Sequence, residues 1–244
     1  MTDGSSSAAL TPEQIQIVMR LDEIFTPQAK RQRDEAYQRR AGKEDLRFAH
    51  YTSAEAALSI IKSKRLWMRN ATCMADYREV QHGFEILNKF FGDPLNMDRF
   101  VNVVGDCVPG VGKEAIDLFN RWWRDIRFNT FITSVSEHYD EEDTHGRLLM
   151  WRAFGLNTSA RVAIVFKVPR FSPGAIILRL LFSPIAYLPE PRVHAIIEEV
   201  IRNVSLNCDF LRSINRAQLV EVVFTMLLAG VTCLKHEGFQ EERE

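Results

Sequence analysis

The sequence predicts an α+β fold in which a small central β-sheet is surrounded by helices. Three observations carry that expectation. The run Leu46 to Tyr51 ends in the polar triplet His50-Tyr51-Thr52 and passes at once into Ala54 to Lys64, where apolar residues recur at three- and four-residue steps. Arg161 to Val168 is the plainest strand of the chain, dense in β-branched and aromatic residues. The remaining length is mostly amphipathic, with helix start and stop signals at its joints.

Composition narrows the class. With 46% hydrophobic and 26% charged residues over 244 positions, the chain has material for a globular core. Lys and Arg number 31 against 32 Asp and Glu, a net charge of -1, so the chain lacks the overall footprint of a protein that coats nucleic acid and keeps only local basic faces. Cys73, Cys107, Cys208 and Cys233 are widely spaced with no Cys-x-x-Cys pair, which argues against a zinc ribbon and reads as reduced thiols in a cytoplasmic protein. Met1 to Leu10 is Ser/Ala-rich without the apolar stretch of a signal peptide, and no run of about eighteen apolar residues occurs, so no membrane association is expected.

Taken in order, Thr11 as N-cap, Pro12 and Gln14 start a helix with the stripe Ile15, Val18, Leu21, Ile24 and Phe25. A charged helix follows Pro27, and its basic segment Lys30 to Lys43 presents either a solvated face or a contact for an acidic partner. These two make an expected N-terminal helical appendage over residues 1–44, with one α+β domain over 45–244. In that domain, Thr52 and Glu55 stand at capping-box spacing ahead of a helix expected to bury Ala57, Leu58, Ile60 and Ile61, and the chain should re-emerge as a strand at Leu66-Trp67. Helices are expected from about Asp76 to Phe91, closed by Gly92-Asp93-Pro94, then near Met97 to Cys107 and Lys113 to Phe128. In the last of these, Trp122 and Trp123 beside Arg121, Arg124 and Arg127 read as core aromatics or, alternatively, as a base-stacking platform. Strands are expected at 46–51, 65–68, 129–135, 161–168 and 176–187, with helices at about Arg147 to Gly155, Pro191 to Leu206 and Asn215 to Lys235.

Two clusters invite chemistry. A neutral imidazole at the His50 strand end can donate to a sugar hydroxyl while the following backbone pairs with an amide; the plainer reading is a partly buried histidine satisfied by a carbonyl. The loop His138 to His145 packs two histidines among four carboxylates, a solvated acidic loop or, less simply, a ligand set for a divalent metal in a nuclease; no standard metal spacing is matched.

The set formed by His50-Tyr51-Thr52 with its helix and Leu66-Trp67, Met74 to Glu79, Phe131 to Glu137, Met150-Trp151 and Lys235 to Glu244 resembles the bacterial domain-of-unknown-function family labelled 2971, over residues 46 to 244. Ala75 departs from the Asn usual in that family. The strand, His-x-Thr and helix are in turn similar to the first motif of ADP-ribosyltransferases of the diphtheria-toxin and poly-ADP-ribose-polymerase type. That resemblance implies an ADP-ribosyltransferase-like fold with NAD as substrate, held by His50, Tyr51 and Thr52 and by Ser134, Ser136 and Trp151. It also implies a catalytic glutamate on a late strand, for which Glu242 and Glu244 are the candidates. Such a carboxylate would stabilise the oxocarbenium-like ribose as nicotinamide leaves, while Tyr51, Tyr139 or Trp151 stacks on the nicotinamide. The implied function is transfer of ADP-ribose to an unknown protein or nucleic-acid acceptor, in a toxin or phage-defence setting. The alternative is a catalytically inactive relative that binds a nucleotide or a partner.

Overall fold

The computed structural model describes residues 11–39, 46–73, 78–153, 160–168 and 181–244. The readings placed on Met1 to Leu10, on 40–45, on the family motif at 74–77 and on the strand start at 176–180 lie outside these residues. The helices are α1 (Pro12–Phe25), α2 (Pro27–Gln38), α3 (Ala54–Ser63), α4 (Arg78–Gly92), α5 (Pro94–Cys107), α6 (Val111–Asn129), α7 (Leu148–Ala153), α8 (Glu190–Leu206), α9 (Cys208–Ser213) and α10 (Arg216–Thr232). The strands are β1 (Leu46–Ser53), β2 (Arg69–Asn70), β3 (Phe131–Ile132), β4 (Ser136–Glu137), β5 (Arg161–Val168), β6 (Ala186–Tyr187) and β7 (Leu234–Lys235). The class is therefore α+β, and helix dominates it.

The core lies among the helices, and the sheet is not central. α10 is apolar on nearly every side and runs through the middle, burying Leu219, Val223, Leu227 and Val231 against α4, α6 and α1. α4 and α10 approach closely at two glycines: a Cβ on Gly83 would meet the carbonyl oxygens of Gly230 and Val231 at 2.6 and 2.7 Å. α5 and α8 complete the bundle with Phe100, Val104, Val200 and Val204. The sheet, by contrast, closes only a small cluster of its own, Ala49, Tyr51 and Met150, with Trp151 and Ala163 against it. The described strands are few and short and present too little apolar face to organise the described helices, so these helices pack on one another.

The expected appendage over residues 1–44 is, in its described part, built into that core. Thr11 and Gln14 form the capping box, with Gln14 N donating to Thr11 Oγ1 at 3.2 Å and Thr11 N to Gln14 Oε1 at 2.9 Å. The stripe so oriented sends Leu21, Ile24 and Phe25 into the main cluster beside α8. On α2, Lys30, Arg31, Arg33 and Arg39 all pair within the chain, with Asp34, Glu199, Asp22 and Glu137.

Six further expectations change. Ser53 caps α3, its hydroxyl accepting from Ala56 N at 3.2 Å, where Thr52 was expected. α3 buries Ala57, while Leu58 and Ile61 stay 52% and 63% exposed: they sit one residue, about 100°, round the helix from Ala57 and Ile60, and the narrow sheet reaches only one side. The strand expected at 65–68 begins later, at Arg69, leaving Trp67 62% exposed. Of the strand expected at 129–135 the structure keeps β3 alone, Phe131–Ile132, paired with β2; β4, paired with β1, lies just beyond it at Ser136–Glu137. Of the strand expected to 187, the described part holds β6, parallel to β7. Cys107 and Cys208, expected as thiols, form a disulfide joining the end of α5 to the start of α9; they are 101 positions apart in the chain but 4.7 Å apart at Cα.

Candidate functional site

The three-stranded sheet has the order β4-β1-β5, all antiparallel. Side chains of β1 alternate between its faces, so the six residues expected to hold NAD are divided. His50 and Thr52 point one way, opposite Ile164 and Val162 of β5. Tyr51 points the other way, with Ser136, which faces Ala49 across β1–β4, and with Trp151.

On the first face, His50 Nδ1 is 3.1 Å from the Ser134 carbonyl oxygen. A carbonyl only accepts, so Nδ1 carries a proton, and in the neutral tautomer this leaves a lone pair on Nε2. That tautomer offers Nε2 as an acceptor for a hydroxyl, and the N–H donor expected to reach a sugar hydroxyl is spent on the Ser134 carbonyl oxygen. It is the Ser134 backbone, not its hydroxyl, that makes this contact. The face ends where β1 runs into α3, whose first amide is tied down by Ala54 N donating to Ala160 O at 2.9 Å.

The second face is packed. Tyr51 is 4% exposed, its hydroxyl accepts from Arg147 N at 3.1 Å, and its ring meets Trp151 edge-on at 4.8 Å between centroids. Trp151 is pinned in turn by Nε1 donating to His145 O at 2.7 Å. Its ring lies over Gly146, where φ is +62° and a Cβ would stand 2.9 Å from Nε1. Ser136, 1% exposed, turns its hydroxyl to Met150 Sδ at 3.9 Å. Tyr139 donates to Glu137 Oε2 at 2.7 Å and carries the Arg243 guanidinium 4.9 Å over its ring; burial and the Glu137 carboxylate push its hydroxyl pKa up. All three aromatics proposed to stack on nicotinamide are thus held in contacts of the fold itself.

The two candidate catalytic glutamates sit beyond β4. That strand receives the C-terminal segment on the side away from β1, through Glu137 N donating to Arg243 O at 2.9 Å. Lys235 Nζ lies 2.9 Å from Glu242 Oε2 and 2.6 Å from Glu244 Oε2, and the Glu244 side chain is 3% exposed. The Glu244 contact is an ion pair without hydrogen-bond alignment. Glu244 N donates to the Tyr187 hydroxyl oxygen at 3.1 Å, and burial raises the Tyr187 pKa above its ordinary value. Among the described residues no hydrogen bond or ion pair joins either carboxylate to His50.

The acidic loop is solvated, as expected, with Asp140, Glu141, Asp143, Thr144 and His145 exposed, and it is also a charge network. Arg47 reaches Asp140 at 2.8 Å and Asp143 at 2.6 Å, and His138 Nε2 is 2.9 Å from Asp143. Arg47, then His138, draw the Asp143 pKa down to about 2. Carboxylates so committed to a guanidinium are poor metal ligands, and no group of three or more His, Cys, Asp or Glu side chains suited to a metal occurs among the described residues.

Arg147, unnoticed in the sequence, joins the two regions. It is 8% exposed, its backbone binds Tyr51, its two Nη groups donate to Glu241 O and Glu242 O at 2.7 and 3.0 Å, and its Nε is 3.5 Å from Glu142 Oε1. Its one sequence signal is position: a lone arginine heading the apolar run Leu148-Leu149-Met150-Trp151. Arg47 carries no comparable signal, because Asp140 and Asp143 are remote in the chain, and the Lys235 pairing follows no helical or strand spacing although Glu242 and Glu244 are near in sequence. Comparisons with models of known families, with curated proteins and with solved structures give no match.

Proposed function

We propose that the chain is an ADP-ribosyltransferase-like protein of the family labelled 2971 that takes NAD at the β1–α3 corner. The observation that carries this reading is the His50–Ser134 contact, which orients an imidazole acceptor on the same face as Thr52, where a strand gives way to a helix. An acceptor fixed in one tautomer suits a ribose hydroxyl, and orientation without rotamer search is what recognition of a small polar group needs. In this reading Tyr51, Ser136 and Trp151 support the corner from behind and do not touch the nucleotide. The acceptor of ADP-ribose is a protein or a nucleic acid.

One observation favours the second reading, an inactive relative that binds without cleaving. Transition-state stabilisation of the ribosyl cation requires a carboxylate facing it, and Glu242 and Glu244 are both spent on Lys235. Titration calorimetry with NAD on the parent chain and on His50→Ala, beside a nicotinamide-release assay, separates the readings. Binding lost in His50→Ala, with release in the parent that Glu244→Gln or Glu242→Gln abolishes, supports the transferase. The same binding with no release supports the inactive relative. No binding of NAD by the parent overturns both.

A further inference from the structure

Among the described residues some cations have carboxylate partners and others do not. Those of α2 are neutralised by carboxylates of the chain itself. Lys62, Lys64, Arg65, Arg69, Arg121 and Arg124 are all exposed, and none takes part in an ion pair among the described residues. These cations lie where large aromatics are also left in solvent: Trp67 is 62% exposed, Trp122 49%, Phe128 50% and Phe131 54%.

The end of α6 and the β2–β3 pair adjoin, and positions 64–68 lead into β2 along the chain. On α6 the exposed positions Arg121, Arg124 and Phe128 recur at three- and four-residue steps and so form one stripe, while exposed Trp122 lies about 100° round the helix from Arg121, on the flank of that stripe. The stripe runs into the β2–β3 pair: Asn70 Nδ2 donates to Phe128 O at 2.7 Å, Ala71 N donates to Thr130 O at 2.9 Å, and Asn70 faces Phe131. Positions 64–68, exposed throughout, lead directly into β2 at Arg69. In the last two turns of α6 the only carboxylate is Asp125, which accepts from Asn129 at 3.4 Å. Trp123, the other half of the Trp-Trp pair, is stacked on Phe84 at 3.8 Å and belongs to the core.

We propose that this strip binds single-stranded nucleic acid. Cations without counter-ions of their own take phosphates and release the condensed ions around them. Exposed π-faces take unpaired bases irrespective of sequence. From Arg121 to Phe128 the helix axis advances about 10 Å, the rise of about three stacked bases. Charge complementarity selects a polyanion, and the pattern selects one with bases. An interfacial membrane helix keeps its cations on the face opposite its apolar residues, whereas here arginines and rings share one stripe, so sinking the rings would drag guanidinium groups into acyl chains. The inference is independent of NAD binding.

The test is fluorescence anisotropy of a short labelled oligothymidine against the full chain over a salt series. Expected is binding that weakens linearly in log affinity with log salt. Arg121→Glu with Arg124→Glu should weaken it at least tenfold and flatten the salt slope by about two. Trp67→Ala or Trp122→Ala should weaken it about tenfold and leave the slope unchanged. Arg202→Glu, an exposed position on α8, supplies the control for net charge. All substituted side chains are exposed, and circular dichroism verifies that the variants fold. No binding at low salt, equal loss in Arg202→Glu, or binding to phosphatidylserine vesicles without binding to the oligonucleotide each overturns the proposal.

Discussion

Lys235 Nζ stands 2.6 Å from Glu244 Oε2 and 2.9 Å from Glu242 Oε2, so a single shielded ammonium holds both carboxylates. The side chains are 12%, 3% and 16% exposed, which leaves little water to screen the charges if one is removed.

Lys235→Met should therefore destabilise the chain by about 3 kcal/mol, the scale for stranding a buried charge. Adding Glu242→Gln and Glu244→Gln to Lys235→Met should recover much of that loss, because the neutral amides no longer need the cation. Urea unfolding followed by circular dichroism reads both. A Lys235→Met midpoint equal to that of the parent would refute the shielded pair.

What was legible in the sequence was local. The Thr11 capping box, the Gly92-Asp93-Pro94 stop and the strand Arg161 to Val168 depend on neighbours within a few positions, and the structure has all three. The alternation of β1 was also legible, yet which residues it sets on which face becomes informative only once Trp151 and Ser136 are known to lie behind Tyr51. The contacts that define the candidate site are long-range: His50 meets Ser134 across 84 positions, Arg147 meets Glu241 across 94, and Cys107 meets Cys208 across 101. Nothing in periodicity or capping encodes such pairings. The helical spacing of Leu58 and Ile61 predicted burial because amphipathicity reports that a face is apolar, not that the fold supplies a surface to cover it.

The contact between α4 and α10 gives the second prediction. A methyl group on Gly83 would collide with two backbone carbonyls at 2.6 and 2.7 Å, and backbone cannot step aside as a side chain can. Gly83→Ala should cost about 3 kcal/mol, the upper range for overpacking. Gly105→Ala, inside α5 with nothing within 4 Å of the added carbon, should instead stabilise by about 0.5–1 kcal/mol through helix propensity. Thermal unfolding of the two variants should shift in opposite directions. A shift in the same direction would show that α4 and α10 are not in contact at these glycines.

The bond between Cys107 and Cys208 should be visible by mass. Alkylation of the denatured, unreduced protein is expected to label Cys73 and Cys233 alone, and prior reduction to label all four cysteines. Cross-linking positions 101 apart restricts the unfolded chain strongly, so Cys107→Ser with Cys208→Ser should lose about 3–4 kcal/mol relative to the oxidised parent. Four labelled cysteines without reductant would mean that the pair stands reduced in the isolated protein.

Acid should reveal the Arg47–Asp143–His138 contact. Asp143 has an ordinary carboxyl value of 3.8 when free and is drawn down to about 2 in the folded chain, chiefly by the Arg47 hydrogen bonds and next by His138. A depressed carboxyl favours the folded state wherever it is ionised, so its contribution is whole above the free value and is lost as pH falls from about 4 to about 2. Asp143→Asn should be less stable than the parent at neutral pH, and the gap should close across that window, because the variant has no proton to take up there. Asp143 is half exposed, so added salt should narrow the gap at neutral pH as well. Urea midpoints of parent and variant at neutral pH and at successive acid steps provide the comparison, with circular dichroism reporting the folded fraction. Curves that stay parallel down to about pH 2 would show that Arg47 and His138 do not hold this carboxylate in solution.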